Sequence, residues 1–455
     1  MNMSKRLFAA RALFSGLLTF AVSQSALAAF APAQVPLSLG GQVEPNIMFL
    51  LDDSGSMEWA YMPDEIKQDI SRNDCSFLSD SGNNYYYRCA ESGKRYLFSS
   101  AVNKVYFDPA VTYAPPPSFA QASFTAAKVD GYRSISEVVN LSTAFQMIFH
   151  RDAYTNGRKD YFYVGNPRAA FYYRQSAGCT NVLSNACYTR VTIAEADKQN
   201  FANWFSYYRT RLMAAKAGTG SAFDGQTGEI RVGYGAINQS GTVVKGVKRF
   251  EGTGRTDFFQ WLYGASADGG TPLRKALGDA GKYYSQTNDL GPWSSTPGET
   301  GGTEYACRQS YTILTTDGYW NGDSASDSAA QENVDNKNGP TISGPDGQSY
   351  SYAPKAPFSD SYPNTLADVA MHYWNRDLHS GLANRVPTDP ANPAFWQHMV
   401  TFGVGLGVSG SVNPDTAFDA VKTGAVINWL DPRPDANSAA KIDDLLHAGI
   451  NGRGG

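Results

Sequence analysis

NIMFLLDDSGSM, residues 46–57, is the stretch on which the reading of this chain turns. Ile47 to Leu51 is an unbroken apolar run, the pattern of a parallel strand covered by helices on both faces. The run stops abruptly at Asp52, Asp53, Ser54, Gly55 and Ser56. A carboxylate, two hydroxyls two residues apart and a glycine that lets the backbone turn make an oxygen-rich loop at the carboxyl end of a strand, where open α/β sheets bind ligands. Hard divalent cations take oxygen donors of this kind. The competing reading is an Asp/Ser turn that caps the next helix.

Further oxygen donors stand at similar places downstream. The α/β pattern returns at Glu229, with a strand from Ile230 to Ile237, a hairpin partner from Gly241 to Phe250 and a helix from Arg255 to Tyr263. Thr271 and Pro272 suit the start of a helix whose Leu273, Ala276, Leu277 and Ala280 form one apolar stripe. Capping alone would explain Thr271, but Gly269 and Gly270 before it let the backbone approach something closely. A strand from Tyr311 to Thr316 ends in Asp317, the layout of the first strand again. Residues 321–360, polar and rich in Gly and Pro, read as a long surface loop. A helix follows from Asn364, with Leu366, Val369, Ala370 and Tyr373 on one face, then a buried strand from His398 to Gly405. Thr416 to Lys422 and Ala439 to Ala448 make the last helices, with Gly449 as the cap of the second.

A βαβ unit closes within about 30 residues. Here the pattern is interrupted from Trp59 to Gly228 by runs such as NNYYYRC and KDYFYVGNPRAAFYYRQ. We read 59–228 as a Tyr-rich insertion of short strands and loops, whose rings form either its own core or a sugar- or protein-binding surface. Cys75 and Cys89, 14 apart, and Cys179 and Cys187, 8 apart, each flank a polar loop that a disulfide would close. Cys307, just before a strand, is expected to be a free, shielded thiol.

Composition sets the outer limits. Apolar content of 42% with 18% charged residues is that of a globular chain, and 27 Tyr, 44 Gly and 23 Pro favour ordered, loop-rich surfaces. A net charge of −4 with no basic run argues against nucleic acid as a partner. Lys5, Arg6 and Arg11 precede an apolar core from Leu13 to Val22 and the small-residue site Ala26-Leu27-Ala28, so residues 1–28 read as an export signal and 29–45 as a linker. Its removal leaves 35 basic and 42 acidic residues, and no later segment is apolar enough to cross a membrane.

Several familiar motifs fail. GLGVSG at 405–410 has no helix start after it, so it is not a dinucleotide fingerprint. Asn333 to Gly339 is acidic and amide-rich but out of register for an EF-hand. The five histidines, 150, 372, 379, 398 and 447, have no zinc-site spacing, and Walker, zinc-protease and serine-hydrolase signatures are absent.

Asp-x-Ser-x-Ser at 52–56, GGTPL at 269–273 and ILTTDG at 313–318 together resemble, in this order, the metal-ion-dependent adhesion site of von Willebrand factor type A (vWA) domains. The resemblance implies a doubly wound, mostly parallel α/β fold over 46–58 and 229–450. It implies a divalent cation, Mg²⁺ first with Ca²⁺ or Mn²⁺ as alternatives, ligated by Ser54 and Ser56, by Asp52 and Asp317 directly or through water, and by Thr271. NKVYFDPAVTYAPP from 103, KDYFYVGNPRAAFYY from 159, NTLADVAMHYWNRDL from 364, FWQHMVTFGVGLGV from 395 and the terminal LLHAGINGRGG resemble the amino-terminal half of the PilY family of type IV pilus tip adhesins and assembly factors. That family implies export to the periplasm and display at the pilus tip, with minor pilins as partners and host or abiotic surface ligands held through an acidic residue. It also implies roles in pilus assembly, surface sensing and twitching motility. Its members continue into a carboxyl-terminal β-propeller, so 451–455 read as the start of a linker to a domain this chain does not contain.

Three functions compete: a metal-dependent adhesion and assembly protein, a vWA scaffold without functional metal, and a metal-dependent hydrolase. The first is expected and no enzyme is, because no histidine lies near the ligand loops in sequence to act as a base.

Overall fold

The computed structural model describes residues 43–455 except 67–69, 83, 119–130, 135–136, 154–157, 240, 435–437 and 455. The expected export signal, 1–28, and most of the 29–45 linker lie outside the described residues. The opening apolar run is the strand Asn46–Leu51, buried at every position. It is the middle of a five-stranded sheet in the order Val243–Arg249, Arg231–Ala236, Asn46–Leu51, Ser310–Thr316, Val400–Gly405. All neighbours pair in parallel except the hairpin strand Val243–Arg249.

Both faces of this sheet are covered, which is why its central strand is apolar at successive positions instead of alternate ones. Ile47, Phe49 and Leu51 pack with Leu212, Phe223, Phe258 and Leu262 of the helices Arg211–Asp224 and Gly252–Gly264. Met48 and Leu50 share the opposite cluster with Leu277, Val369 and Leu445 of the helices Leu273–Tyr284, Leu366–Trp374 and Ala439–Asn451. The result is a mixed α/β architecture with a mostly parallel sheet. From Asn46–Leu51 the chain returns on one side as Arg231–Ala236, while Ser310–Thr316 lies on the other. The carboxyl ends of Asn46–Leu51 and Ser310–Thr316 therefore flank the point where strand order reverses, the crevice in which such sheets receive ligands.

Residues between Ala60 and Tyr207, within the expected insertion, form a hydrophobic cluster of their own. A sheet in the order Cys75–Ser81, Asn84–Cys89, Lys159–Val164, Ile148–Ala153 and the ladder Phe171–Gln175 with Tyr188–Thr192 surround Phe98, Tyr106, Phe149, Phe171, Phe201 and Trp204. The disulfides Cys75–Cys89 and Cys179–Cys187 form at the expected pairs. Strands and loops are not its whole content, since the helices Lys198–Tyr207 and Arg211–Asp224 also fall within 59–228. The second of these packs on the central sheet, because Leu212, Ala215 and Phe223 give it an apolar face that the sheet covers.

Other expectations need correction. Cys307 is free but exposed, because its turn runs along the surface and the side chain of the next residue, Arg308, takes the buried place. Residues 321–360 are not merely a surface loop: widely spaced Ala330, Val334, Ile342, Tyr352 and Phe358 anchor them in the core. The strand expected from His398 is Val400–Gly405, and as the last strand of the sheet it is exposed at its carboxyl end. The terminal helix passes through Gly449 to Asn451 and is capped by Gly452, since burial of Ile450 and Asn451 extends it.

Candidate metal centre

Asp52 directly follows the central strand, and its N–H continues the ladder onto Thr315 O at 2.9 Å. The backbone is thus fixed before the side chain acts. Asp52 Oδ1 accepts the N–H of Ser54 at 2.8 Å, a local bond that bends the chain, and Oδ2 accepts the Thr316 hydroxyl of the adjacent strand at 2.6 Å. The bend brings the Ser54 and Ser56 hydroxyls to 3.1 Å, and Ser56 Oγ donates to Asp317 Oδ1 at 3.0 Å. Four of the five expected residues, from two neighbouring strand ends, therefore form one hydrogen-bonded chain. Asp52, Ser54 and Asp317 are buried, whereas Ser56 is half-buried at the mouth.

Thr271 arrives on the loop before Leu273–Tyr284. That loop lies against the serines because Gly55 N–H donates to Gly269 O at 3.1 Å. Gly269 needs its freedom: φ is +89°, and a Cβ there would stand 2.7 Å from Asn238 Oδ1. Thr271 is not the helix cap, since Pro272 occupies that position. Instead its N–H donates to Asn321 Oδ1 and its carbonyl accepts the Asn321 N–H, both at 2.9 Å. Its hydroxyl has only a long contact, 3.5 Å from Asn321 Nδ2. Asp53 faces elsewhere, its Oδ1 accepting from Asn238 N–H at 2.9 Å and from the Asn238 amide at 3.1 Å. It fixes the neighbouring loop.

Arg211 escaped the sequence reading. It donates from Nη1 to Asp317 Oδ2 at 2.9 Å, from Nη2 to Asp64 and from Nε to Tyr61 O at 2.9 Å. Its guanidinium lies 5.0 Å from the Trp59 ring centre. No local motif announces a cation that reaches the site from within a Tyr-rich insertion. Burial pushes the Asp52 carboxyl up to about 7, with the nearby Asp317 charge adding to it. Burial also raises Asp317, against the pull of Arg211.

The expected ligands are five oxygens without nitrogen or sulfur, which suits Mg²⁺, Ca²⁺ or Mn²⁺. Neighbouring donors around an octahedral ion bound at about 2.1 Å stand about 3.0 Å apart. The Ser54–Ser56 and Ser56–Asp317 spacings, 3.1 and 3.0 Å, fit that edge.

Comparison with known proteins adds an independent line. The chain is 34% identical, over an alignment 495 positions long that takes in 97% of its length, to type IV pilus biogenesis factor PilY1 of Pseudomonas aeruginosa strain PAK. It is 32% identical over 490 residues to the protein of that name in strain PAO1 and 33% identical over 491 in strain UCBPP-PA14. It spans only 39% of the length of the first two relatives and 38% of the third. No family model and no solved structure matches it. No helix of the described residues is long and apolar enough to cross a membrane.

Proposed function

We propose, on the premise that this chain is a relative of the type IV pilus biogenesis factor PilY1 along nearly all of its own length, that it acts in pilus biogenesis and adhesion by binding partners through the Asp52 loop and a divalent cation. In this reading the chain is exported and works at the cell surface, at the pilus tip. Its partners are minor pilins and surface ligands that present an acidic residue. One observation carries the reading: the bonded chain of Asp52, Ser54, Ser56 and Asp317 at the point where strand order reverses.

Asp52, Ser54, Ser56, Thr271 and Asp317 would hold the ion, and bound Mg²⁺ would supply a Lewis-acidic position for a carboxylate oxygen of the binding partner. The residues of the chain set that up. Three of the five donors are neutral hydroxyls, and Arg211 offsets part of the charge on Asp317, so little of a cation's charge would be cancelled. Asp53 and Asn238 hold the loop, and the Gly55–Gly269 contact keeps the Thr271 loop alongside. Arg211 also favours a second reading, a scaffold without metal, since a guanidinium already answers Asp317.

The experiment is binding of chelated and Mg²⁺-reloaded protein to pilus-tip subunits and surface ligands. Chelation, Asp52→Ala and Ser54→Ala with Ser56→Ala are expected to weaken binding by at least about tenfold. Asp53→Asn, which keeps the acceptor for Asn238, is expected to bind normally. Unchanged affinity of metal-free protein for every ligand would leave the scaffold reading standing.

A further inference from the structure

We propose that Asp335, Asp360 and His447 form a second cation site, one that takes a first-row transition ion such as Zn²⁺ and ties residues 333–360 to the terminal helix. One oxygen from each carboxylate and one imidazole nitrogen lie within 4.8 Å of one another. Asp335 and His447 are buried, and Asp360 is half-buried as a residue with a side chain 7% exposed. The stretch 333–339, which fails as an EF-hand, supplies Asp335 to this cluster.

Hydrogen bonds hold all three groups in place, with Asp335 Oδ2 3.7 Å from Nε2 of the ring and Asp360 Oδ2 3.6 Å from Nδ1. Asp335 Oδ1 accepts the N–H of Asp360 at 3.1 Å, and Oδ2 accepts the amide of Asn451, one helical turn beyond His447, at 2.9 Å. Asp360 Oδ1 accepts the Tyr362 N–H at 2.7 Å. The imidazole stacks on Trp429 with centroids 4.2 Å apart, and its Nε2 bonds to Phe358 O at 2.8 Å. A carbonyl can only accept, so Nε2 carries the proton and Nδ1 of the neutral ring presents a lone pair.

That lone pair faces Asp360 Oδ2 at 3.6 Å. Two acceptors thus point at each other within a side chain that is 1% exposed, and this opposition is what marks a ligand position. A metal-bound histidine donates its other N–H to a carbonyl in the same way. Imidazole with two carboxylates suits Zn²⁺ better than the all-oxygen Asp52 loop does. Bonds of about 2.0–2.2 Å put neighbouring tetrahedral donors about 3.4 Å apart, so Asp360 and the imidazole would close by a few tenths of an ångström and the widest pair by up to about 1.4 Å. Among the described residues no Lys or Arg forms an ion pair with Asp335. Without a cation the imidazole stays neutral, lowered to about 3 by burial, and Asp335, lifted to about 8, holds its proton, while Asp360, lifted only to about 6, carries a charge at neutral pH.

The test equilibrates the chelated full chain with Zn²⁺ at neutral pH, with Mg²⁺ in excess to occupy the all-oxygen loop. Metal analysis is expected to find one retained Zn²⁺ per chain, with a rise in Tm. Asp360→Asn, which is isosteric, is expected to weaken Zn²⁺ binding by at least about tenfold, and His447→Gln likewise. If His447→Gln fails to fold, Asp360→Asn decides. No retained Zn²⁺, or retention that Asp360→Asn leaves unchanged, overturns the site in favour of a proton-sharing cluster.

Discussion

The central sheet and the Tyr-rich region that follows Trp59 bury their apolar residues by opposite means. In the sheet, aliphatic side chains on parallel strands are pressed between helices, and the backbone ladder sets where each one points. In the insertion, rings pack on rings: Phe98 lies 4.8 Å from Phe149 and 4.9 Å from Phe171, and Trp204 lies 4.7 Å from Tyr106. Each such pair adds about 0.5–1.5 kcal/mol beyond its buried area. A region with short strands therefore still acquires a core, provided its side chains are large and disulfides limit its unfolded freedom. The two regions meet at Arg211, where one guanidinium bonds Asp317 of the sheet and Asp64 of the insertion.

Breaking that junction should have the largest effect. Arg211→Ala leaves a buried carboxylate without its cation and is expected to cost about 3–5 kcal/mol in urea unfolding. If the variant is as stable as the wild type, the two regions are not coupled through this residue. The disulfides come next. Removing Cys75–Cys89 or Cys179–Cys187 by paired Cys→Ser substitution is expected to cost about 2–4 kcal/mol. Hydrogen exchange should show loss of protection in the insertion while the amides of Asn46–Leu51 stay protected. Equal loss in both would mean that the chain unfolds as one unit.

The smallest effect separates the regions by pH. Asp52 is raised to about 7 in the folded chain, so the folded form holds this proton more tightly than the unfolded form. The stability it confers is complete below the ordinary carboxylate pKa near 4 and is lost as pH rises through about 7. Metal-free protein is expected to lose roughly 1–2 kcal/mol in this way between about pH 5 and about pH 8, allowing for relaxation around the buried charge. Asp52→Asn should remove this share of the slope and leave the share of the other raised carboxylates, Asp335 at about 8 and Asp368 and Asp444 at about 7. In the ring-packed core of residues 60–207, burial instead raises tyrosines such as Tyr173, to about 12, so protection from exchange there, corrected for the intrinsic pH dependence, should not follow this slope.

What was legible followed from local pattern. The apolar run, the strand-end Asp52 and Asp317 and the two cysteine pairs each declare themselves within a few residues. Their convergence follows from parallel strands all ending on one edge. Arg211 was not legible, because its target is set by how a whole insertion packs, and a helix start in a Tyr-rich segment says nothing of that. Asp335 and His447 lie on segments far apart in sequence, and only the packing of 333–360 against the last helix joins them. Cys307 was misread for a similar reason: proximity to a buried strand does not fix the direction of a side chain in the turn before it.

The bond that joins the two ends of the segment from Trp59 to Arg211 has its own consequence. Arg211 N–H donates to Trp59 O at 3.1 Å, so the chain returns to within one hydrogen bond of the place it left. A folded excursion that brings its own ends together asks no more of its host than a short turn would, since the cost of closing a loop rises only slowly with length. A linker of a few residues between Trp59 and Arg211 is therefore expected to leave the parallel strands in register, at the loss of the hold that Tyr61 and Asp64 have on Arg211.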